Sequence, residues 1–314
     1  MISAPADAAA TPRRSSRERP AIFERPNWSP ESAAGRLLAR PPGANDERAL
    51  LRDCARIAVQ RLGGFARVLD LLPAREQERA VLLFALVDLL FATARGAGTE
   101  AARVTDLDRI AFVMARALRG EPVEELFARR LAAEARRRSF TRQALDDLFD
   151  AARRFASRPR PETCAAQAAH AQQISEAFAT ALLGGEPTPA VIDLGAGLLR
   201  LATLCDLPNE LREQRCSLPA AELPEPVQYR TPDEVGAVVG RECMELRKLL
   251  LKGARAAGEV PLSFRRPVAF LLPAALSLLG LVEDRPPELA RRAPKLGGWT
   301  VRRAYWRARF TPLI

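Results

Sequence analysis

LGAGLLRLATLCDLPNELREQRCSLP, spanning Leu194–Pro219, reads as an apolar helix that ends in Asp206-Leu-Pro-Asn-Glu210. Arg215 and a Leu218-Pro219 stop follow it. Residues i and i+4 share a helix face, so Asp206 and Glu210 are placed to present two carboxylates side by side. Such a pair suits a hard cation such as Mg²⁺, which takes oxygen ligands and usually shares them with a phosphate. The same spacing also describes a solvated helix face or a helix end, and on its own it leaves both readings open.

Working outward, the segment resembles the second acidic motif of the squalene/phytoene synthase family. It aligns without a gap: Leu194-Gly195 open the motif, Leu204 is its apolar position, Asp206 its first acid and Glu210 stands at its second. Arg215 and Leu218-Pro219 close it. Leu199, Ala202, Cys205 and Ser217 depart from the family's glutamine, asparagine, arginine and tyrosine.

A second stretch, LPAREQERAVLLFALVDLLFATARG from Leu72, is similar to the family's first acidic motif. Leu83-Phe84-Ala85-Leu86 fall on its apolar block. Asp88 falls where that motif has an arginine, Phe91 and Ala92 replace its aspartate pair, and Arg95 replaces its closing aspartate. Two weaker likenesses extend the match to roughly residues 50–310. Glu162–Gly184 resembles the helix before the second motif, with Ala166 for a tyrosine and Ser175 for a glycine. Arg265–Phe310 resembles the last two helices, including Arg291-Arg292 and Lys295.

The resemblance implies an all-α, isoprenoid-synthase-type helical bundle around a central cavity. In the family, two acidic helices hold Mg²⁺ and two isoprenyl diphosphates are joined head to head. On that template Asp206 and Glu210 are the candidate metal ligands, Arg215 and Arg95 the candidate substrate-binding residues, and Phe91, Ala92 and Arg95 the degenerate positions. With one acidic motif replaced, the expectation is weak Mg²⁺ binding at most. The expected protein is non-catalytic, with an assembly, regulatory or isoprenoid-binding role. The alternative is an active transferase with an atypical metal site. Isoprenyl diphosphate or isoprenoid, a protein partner and a peripheral membrane contact are the partners implied.

Composition agrees with the class. The chain has 314 residues, long enough to bury a substantial core, and 48% are apolar, which excludes a wholly disordered chain. Alanine, leucine and arginine dominate and β-branched residues are sparse, which favours helices. The lysines are Lys248, Lys252 and Lys295; the arginine bias reads as a GC-rich bacterial genome. The formal charge of +10 fits an anionic ligand or surface. Aromatics are not interleaved with the basic runs and no nucleic-acid motif occurs, so no nucleic-acid partner is expected. Cys54, Cys164, Cys205, Cys216 and Cys243 form no C-x-x-C pair and no signal peptide is recognised, which predicts a cytoplasmic location, with peripheral contact at the inner membrane surface as a further expectation. His170 is the one histidine and is assigned a structural or surface role.

Residues 1–44, rich in Ala, Pro, Arg and Ser, predict a disordered basic tail, with Trp28 a possible docking point and residues 45–314 the helical domain. From Asp46 on, helical periodicity places Leu50, Leu51, Cys54, Ile57, Ala58 and Leu62 on one face. Pro73 opens a very apolar helix reaching Arg95. Asp106 is read as the N-cap of the next, which ends near Gly120. Further helices are predicted from about Pro122 to Arg138, Thr141 to Phe155, Glu162 to Leu183 and Pro189 to Cys205, the last capped by Thr188. Thr231-Pro-Asp-Glu opens a helix reaching Ala257. The uncharged run Pro267–Val282 is shorter than the roughly 18–20 residues of a membrane span and contains Pro273, so a buried core helix is expected, with membrane-surface contact the second reading.

Overall fold

The computed structural model describes Leu38 and residues 46–138, 142–158, 160–224, 227 and 230–310. All regular structure among them is helical: α1 (Asp46–Leu62), α2 (Ala74–Ala94), α3 (Glu100–Leu118), α4 (Leu126–Arg138), α5 (Arg142–Ser157), α6 (Cys164–Leu183), α7 (Pro189–Arg212), α8 (Pro232–Lys252), α9 (Leu262–Asp284) and α10 (Gly298–Phe310). A 3₁₀ segment, Gly63–Leu71, joins α1 to α2. The expected tail and Trp28 lie outside the described residues, except Leu38, which is 3% exposed and joins the core.

The apolar helix read after Pro73 is α2, and it is central. Leu82, Leu83, Leu86, Leu89 and Leu90 are fully buried, and α2 packs against α1, α3, α4, α5 and α6. A helix apolar on nearly all sides is stable only with neighbours on all sides. Each buried leucine contributes about 1.5–3 kcal/mol relative to exposure. A second apolar cluster is built by α7, α8 and α9 around Leu201, Val239, Leu246 and Leu279.

Helix ends follow local chemistry, and some differ from the sequence reading. The Thr231 hydroxyl accepts from the Glu234 amide at 3.2 Å, and the Glu234 carboxylate accepts from the Thr231 N–H at 2.7 Å, a complete capping box. That helix stops at Lys252 rather than Ala257; a 3₁₀ turn and the short helix Ala256–Glu259 follow. Asp106 is no cap. Thr99 caps α3 by accepting from the Ala102 amide at 3.2 Å, and Asp106 pairs with Arg109 one turn on. Thr188 precedes α7 as expected, yet its hydroxyl donates to the Glu259 carboxylate instead of capping. The α7 helix also passes through Pro208 and runs to Arg212; it ends where Gln214 takes a left-handed φ of 56°. The uncharged run lies within α9, whose Phe264, Phe270, Ala274 and Leu279 are buried. Among the described residues α9 is the one helix long and apolar enough to cross a bilayer.

The long helix α7 is held from two sides. A Cβ on Gly253 would meet the Leu194 backbone at 2.8 Å, so only glycine allows the end of α8 to approach α7 this closely. Deeper in, Arg200 of α7 donates to both carboxylate oxygens of Glu242 in α8, at 2.9 and 2.7 Å. The two side chains are 7% and 5% exposed. Removing one member leaves the other charged and desolvated. Glu242→Ala is therefore expected to lower the unfolding free energy by about 3–5 kcal/mol. Replacing both residues by apolar ones of similar volume should cost much less, as measured by denaturant unfolding.

Candidate functional site

Between the two apolar clusters lies a cavity of about 1380 Å³. Phe84 and Val87 of α2, Phe178 and Leu182 of α6, Leu198 of α7 and Leu271 of α9 form much of its wall. This volume exceeds the several hundred Å³ typical of a drug-sized pocket. A long hydrocarbon chain is the kind of ligand such a lining accepts.

One end is polar, because several helices finish there. Arg95 caps the C-terminus of α2, and Arg154 and Arg158 lie at the end of α5. The partial negative charge of a helix C-terminus favours cations at such positions. Asp206 and Asn209 reach the same cavity from the last turns of α7, and Gln167 and His170 from α6. Arg61 pairs with Asp88 in the wall. The first turn of α6, at Thr163 and Ala166, opens onto this cavity too.

Phe91, Ala92, Arg95 and Asp206 all line the cavity, whereas Glu210 and Arg215 are not in its wall. The Asp206 Oδ1 accepts from the Asn209 side-chain amide at 2.7 Å. Glu210 is 7% exposed, and its Oε2 accepts from the Ser217 backbone N–H at 2.8 Å, which holds the loop after α7. Arg215 is exposed and pairs with Glu213. Among the described residues, no group of three or more His, Cys, Asp or Glu side chains is gathered as a metal-binding set.

Phe91 and Arg95 are held in aromatic packing. The Phe91 ring stands edge-on to Phe155 at 5.6 Å and to His170 at 6.2 Å, and Phe155 stacks on His170 at 6.2 Å. The Arg95 guanidinium lies over the Phe155 ring, 5.3 Å from its centroid. Much of the Arg95 surface faces the water-accessible cavity, yet protein crowds its head. That burial lowers its pKa, while Glu210 and then Asp206 oppose the shift. Arg95 thus supplies a fixed positive charge near both acids. Among the described residues neither Arg95 nor Arg154 has an ion-pair partner.

Sequence reasoning missed Arg154, Phe155 and Asn209, and gave His170 only a structural or surface role. No spacing in the chain joins Phe91, Phe155 and His170; three separate helices bring them together. The His170 Nε2 is buried and has no hydrogen-bond partner among the described residues. Burial, and then the charge of Arg154, lower its pKa. Cys205, also in the wall, has its thiol pushed up to about 12 by burial and then by Asp206, so it is a poor nucleophile.

The profile of the squalene/phytoene synthase family matches residues 62–304. The structure resembles a dehydrosqualene synthase in complex with ligand, with a TM-score of 0.69 and 12% identity over 84% of this chain and 97% of that one. It also resembles a squalene synthase from Alicyclobacillus acidocaldarius, with a TM-score of 0.62 and 16% identity over 80% of this chain and 98% of that one. No curated protein matches the sequence closely. The likenesses in structure define an all-α isoprenoid synthase fold. By its sequence the chain belongs to the squalene/phytoene synthase family.

The lowered His170 pKa sets a sign for stability. The unfolded chain binds a proton near pH 6.5, while the folded chain resists it, so stability is present above that pH and lost as pH falls below it. A His170→Phe variant, which keeps the aromatic cluster, should lose less stability than the wild type between neutral pH and about pH 5. Thermal unfolding across that window reads the difference.

Proposed function

We propose that this chain is a non-catalytic member of its family that binds an isoprenyl diphosphate or related isoprenoid in the central cavity. The hydrocarbon lies along the apolar wall and the anionic head meets Arg95 and Arg154. The observation that carries this reading is that Phe91, Ala92 and Arg95, which align with three acidic positions of the family, line the cavity together with Asp206, the Arg95 cation lying near Glu210 and Asp206.

The family's reaction requires diphosphate to leave an allylic carbon, and bound Mg²⁺ supplies the charge stabilisation for that departure. Mg²⁺ demands near-octahedral oxygen coordination. The side chains here do not suit a cluster of such ions. Asp206 is engaged by Asn209, Glu210 is engaged by Ser217, and Arg95 adds positive charge nearby. This donor set supports at most one weakly held ion. Losing one electrostatic stabiliser in an active site typically costs about 2–4 kcal/mol of transition-state stabilisation; replacing a whole set of ligands costs more, because the cation is lost with them.

Arginine binds diphosphate well without metal, since its planar fork donates two hydrogen bonds to phosphate oxygens. Binding of a non-hydrolysable farnesyl diphosphate analogue is therefore expected to persist in a chelator. Arg95→Ala should weaken it about tenfold or more, the scale of one lost charge-assisted hydrogen bond. Calorimetry measures both. Binding that requires Mg²⁺ and disappears in Asp206→Ala would contradict the proposal.

One further role stays attached to this reading and one stands against it. An assembly or regulatory protein could use the loaded cavity as its signal. The alternative is an active head-to-head prenyltransferase with an atypical site, which draws on the retained Asp206 and the intact cavity. Incubation with farnesyl or geranylgeranyl diphosphate and Mg²⁺, followed by product extraction, separates them: no squalene- or phytoene-type product is expected. Restoring aspartate at positions 91, 92 and 95 should recover little, because Leu199, Ala202, Cys205 and Ser217 also differ around the substrate. Sustained Mg²⁺-dependent turnover by the unmodified chain would establish the alternative instead.

A further inference from the structure

The C-terminal helix α10 carries features that neither the core nor the cavity uses. Its inner face is small: Ala304 and Ala308 are buried, and Val301 and Tyr305 pack against the core. Its outer face is large and aromatic. Trp299, Trp306 and Phe310 are 77%, 52% and 72% exposed. With Arg303 they fall at i, i+4, i+7 and i+11, one stripe along a helix of 3.6 residues per turn. The Trp306 and Phe310 rings stack at 5.5 Å, which joins them into one apolar surface.

The charged residues of the helix itself are all of one sign. Arg302, Arg303, Arg307 and Arg309 lie on the helix, Lys295 just precedes it, and α10 contains no acidic residue. Among the described residues Arg302 and Arg303 have no ion-pair partner. Exposed tryptophan and phenylalanine cost free energy in water, and the adjacent guanidinium groups of Arg302 and Arg303 repel each other. One surface relieves both at once. In the headgroup region of an anionic bilayer, indole rings sit at the polar–apolar boundary and guanidinium groups meet lipid phosphates.

We propose that α10 is the docking face of this protein for an anionic phospholipid bilayer, lying in the membrane surface rather than crossing it. A second copy of the chain is a poor occupant, because two such faces bring like charges together. Residues 1–44 are also a poor match, since arginines outnumber acids there. The placement is apt for a protein with an apolar cavity. The helix packs on the 3₁₀ segment Gly63–Leu71 and on α9, and both elements line the cavity through Phe65, Leu69 and Leu271. This inference is independent of how the cavity is used, since it rests on the outer face of α10 alone.

The test is flotation of the full-length protein with two kinds of vesicle, phosphatidylcholine alone and phosphatidylcholine mixed with phosphatidylglycerol. Retention is expected on the anionic vesicles and not on the neutral ones, and it should fall as salt is raised. Arg302→Gln and Arg303→Gln should each weaken binding about fivefold. A Trp299→Ser, Trp306→Ser double variant should weaken it about tenfold or more, with an unchanged melting curve because both side chains are exposed. Arg109→Gln and Arg142→Gln, on α3 and α5, should leave binding unchanged and so separate this face from the net charge. The proposal is overturned if anionic vesicles do not retain the wild type, or retain the tryptophan variant equally well. It is also overturned if gel filtration shows a dimer that the tryptophan changes dissolve, since the face then belongs to a second copy.

Discussion

The close seating of α7 against α8 is the constraint on which the rest of the structure depends. This helix forms a cavity wall, carries Asp206 at one end and sits deep in an apolar cluster. Two contacts fix its position: the approach of Gly253 to the Leu194 backbone, and the buried Arg200–Glu242 pair. The glycine contact sets the separation of α7 from α8, and the two-pronged Arg200–Glu242 pair sets its rotation. Arg200 itself reaches the cavity wall, so the same ion pair that joins the helices also shapes the chamber. A buried pair of this kind contributes little net stability compared with an apolar substitute. Its clearer effect here is to define which face of α7 meets the cavity.

From that geometry the polar end of the cavity acquires its character. Arg95, Arg154 and Arg158 gather where helices α2 and α5 finish, and the two acids on α7 are the nearby counter-charges. A metal cluster answers the charge of a diphosphate with ions that can move with it. A guanidinium answers with a charge fixed to the fold, backed by the Phe155 ring. On the proposed reading this difference separates holding a diphosphate from expelling it. Binding needs only complementary charge in the ground state, whereas turnover needs stabilisation that grows as the bond breaks.

The fold was legible to a high degree because its signal is repeated at each helix. The apolar run after Pro73 could be satisfied only by a central helix, and Thr231-Pro-Asp-Glu carried its cap in four letters. The misreadings have local causes. Thr99 and Asp106 are both good caps by type, and only the chain's path selects between them. The helix read as ending at Cys205 continues through Pro208 and stops where Gln214 adopts a left-handed conformation. The candidate site was legible only in part. Asp206, Phe91, Ala92 and Arg95 stood out against a family pattern, yet nothing local revealed that Glu210 would bind the Ser217 amide. The meeting of Phe91 with Phe155 and His170 is a tertiary contact across three helices, and sequence spacing carries no trace of it.

On the proposed reading, the aromatic cluster also bears on how an acidic position can be replaced. An aspartate pair next to Asp206 and Glu210 is stable only while cations neutralise the group; without them like charges repel and their pKa values rise. Phe91 and Arg95 remove that dependence. The ring packs on Phe155 and His170, and the guanidinium balances the remaining carboxylates while resting on the same Phe155. The cavity end can then keep its shape without an ion. Burial in this cluster also disfavours the charged form of His170, and its Nε2 stays inside an otherwise apolar contact with no exposed surface of its own. Leaving that nitrogen without a partner costs free energy, so the cluster holds its shape through the packing of its three rings rather than through hydrogen bonds.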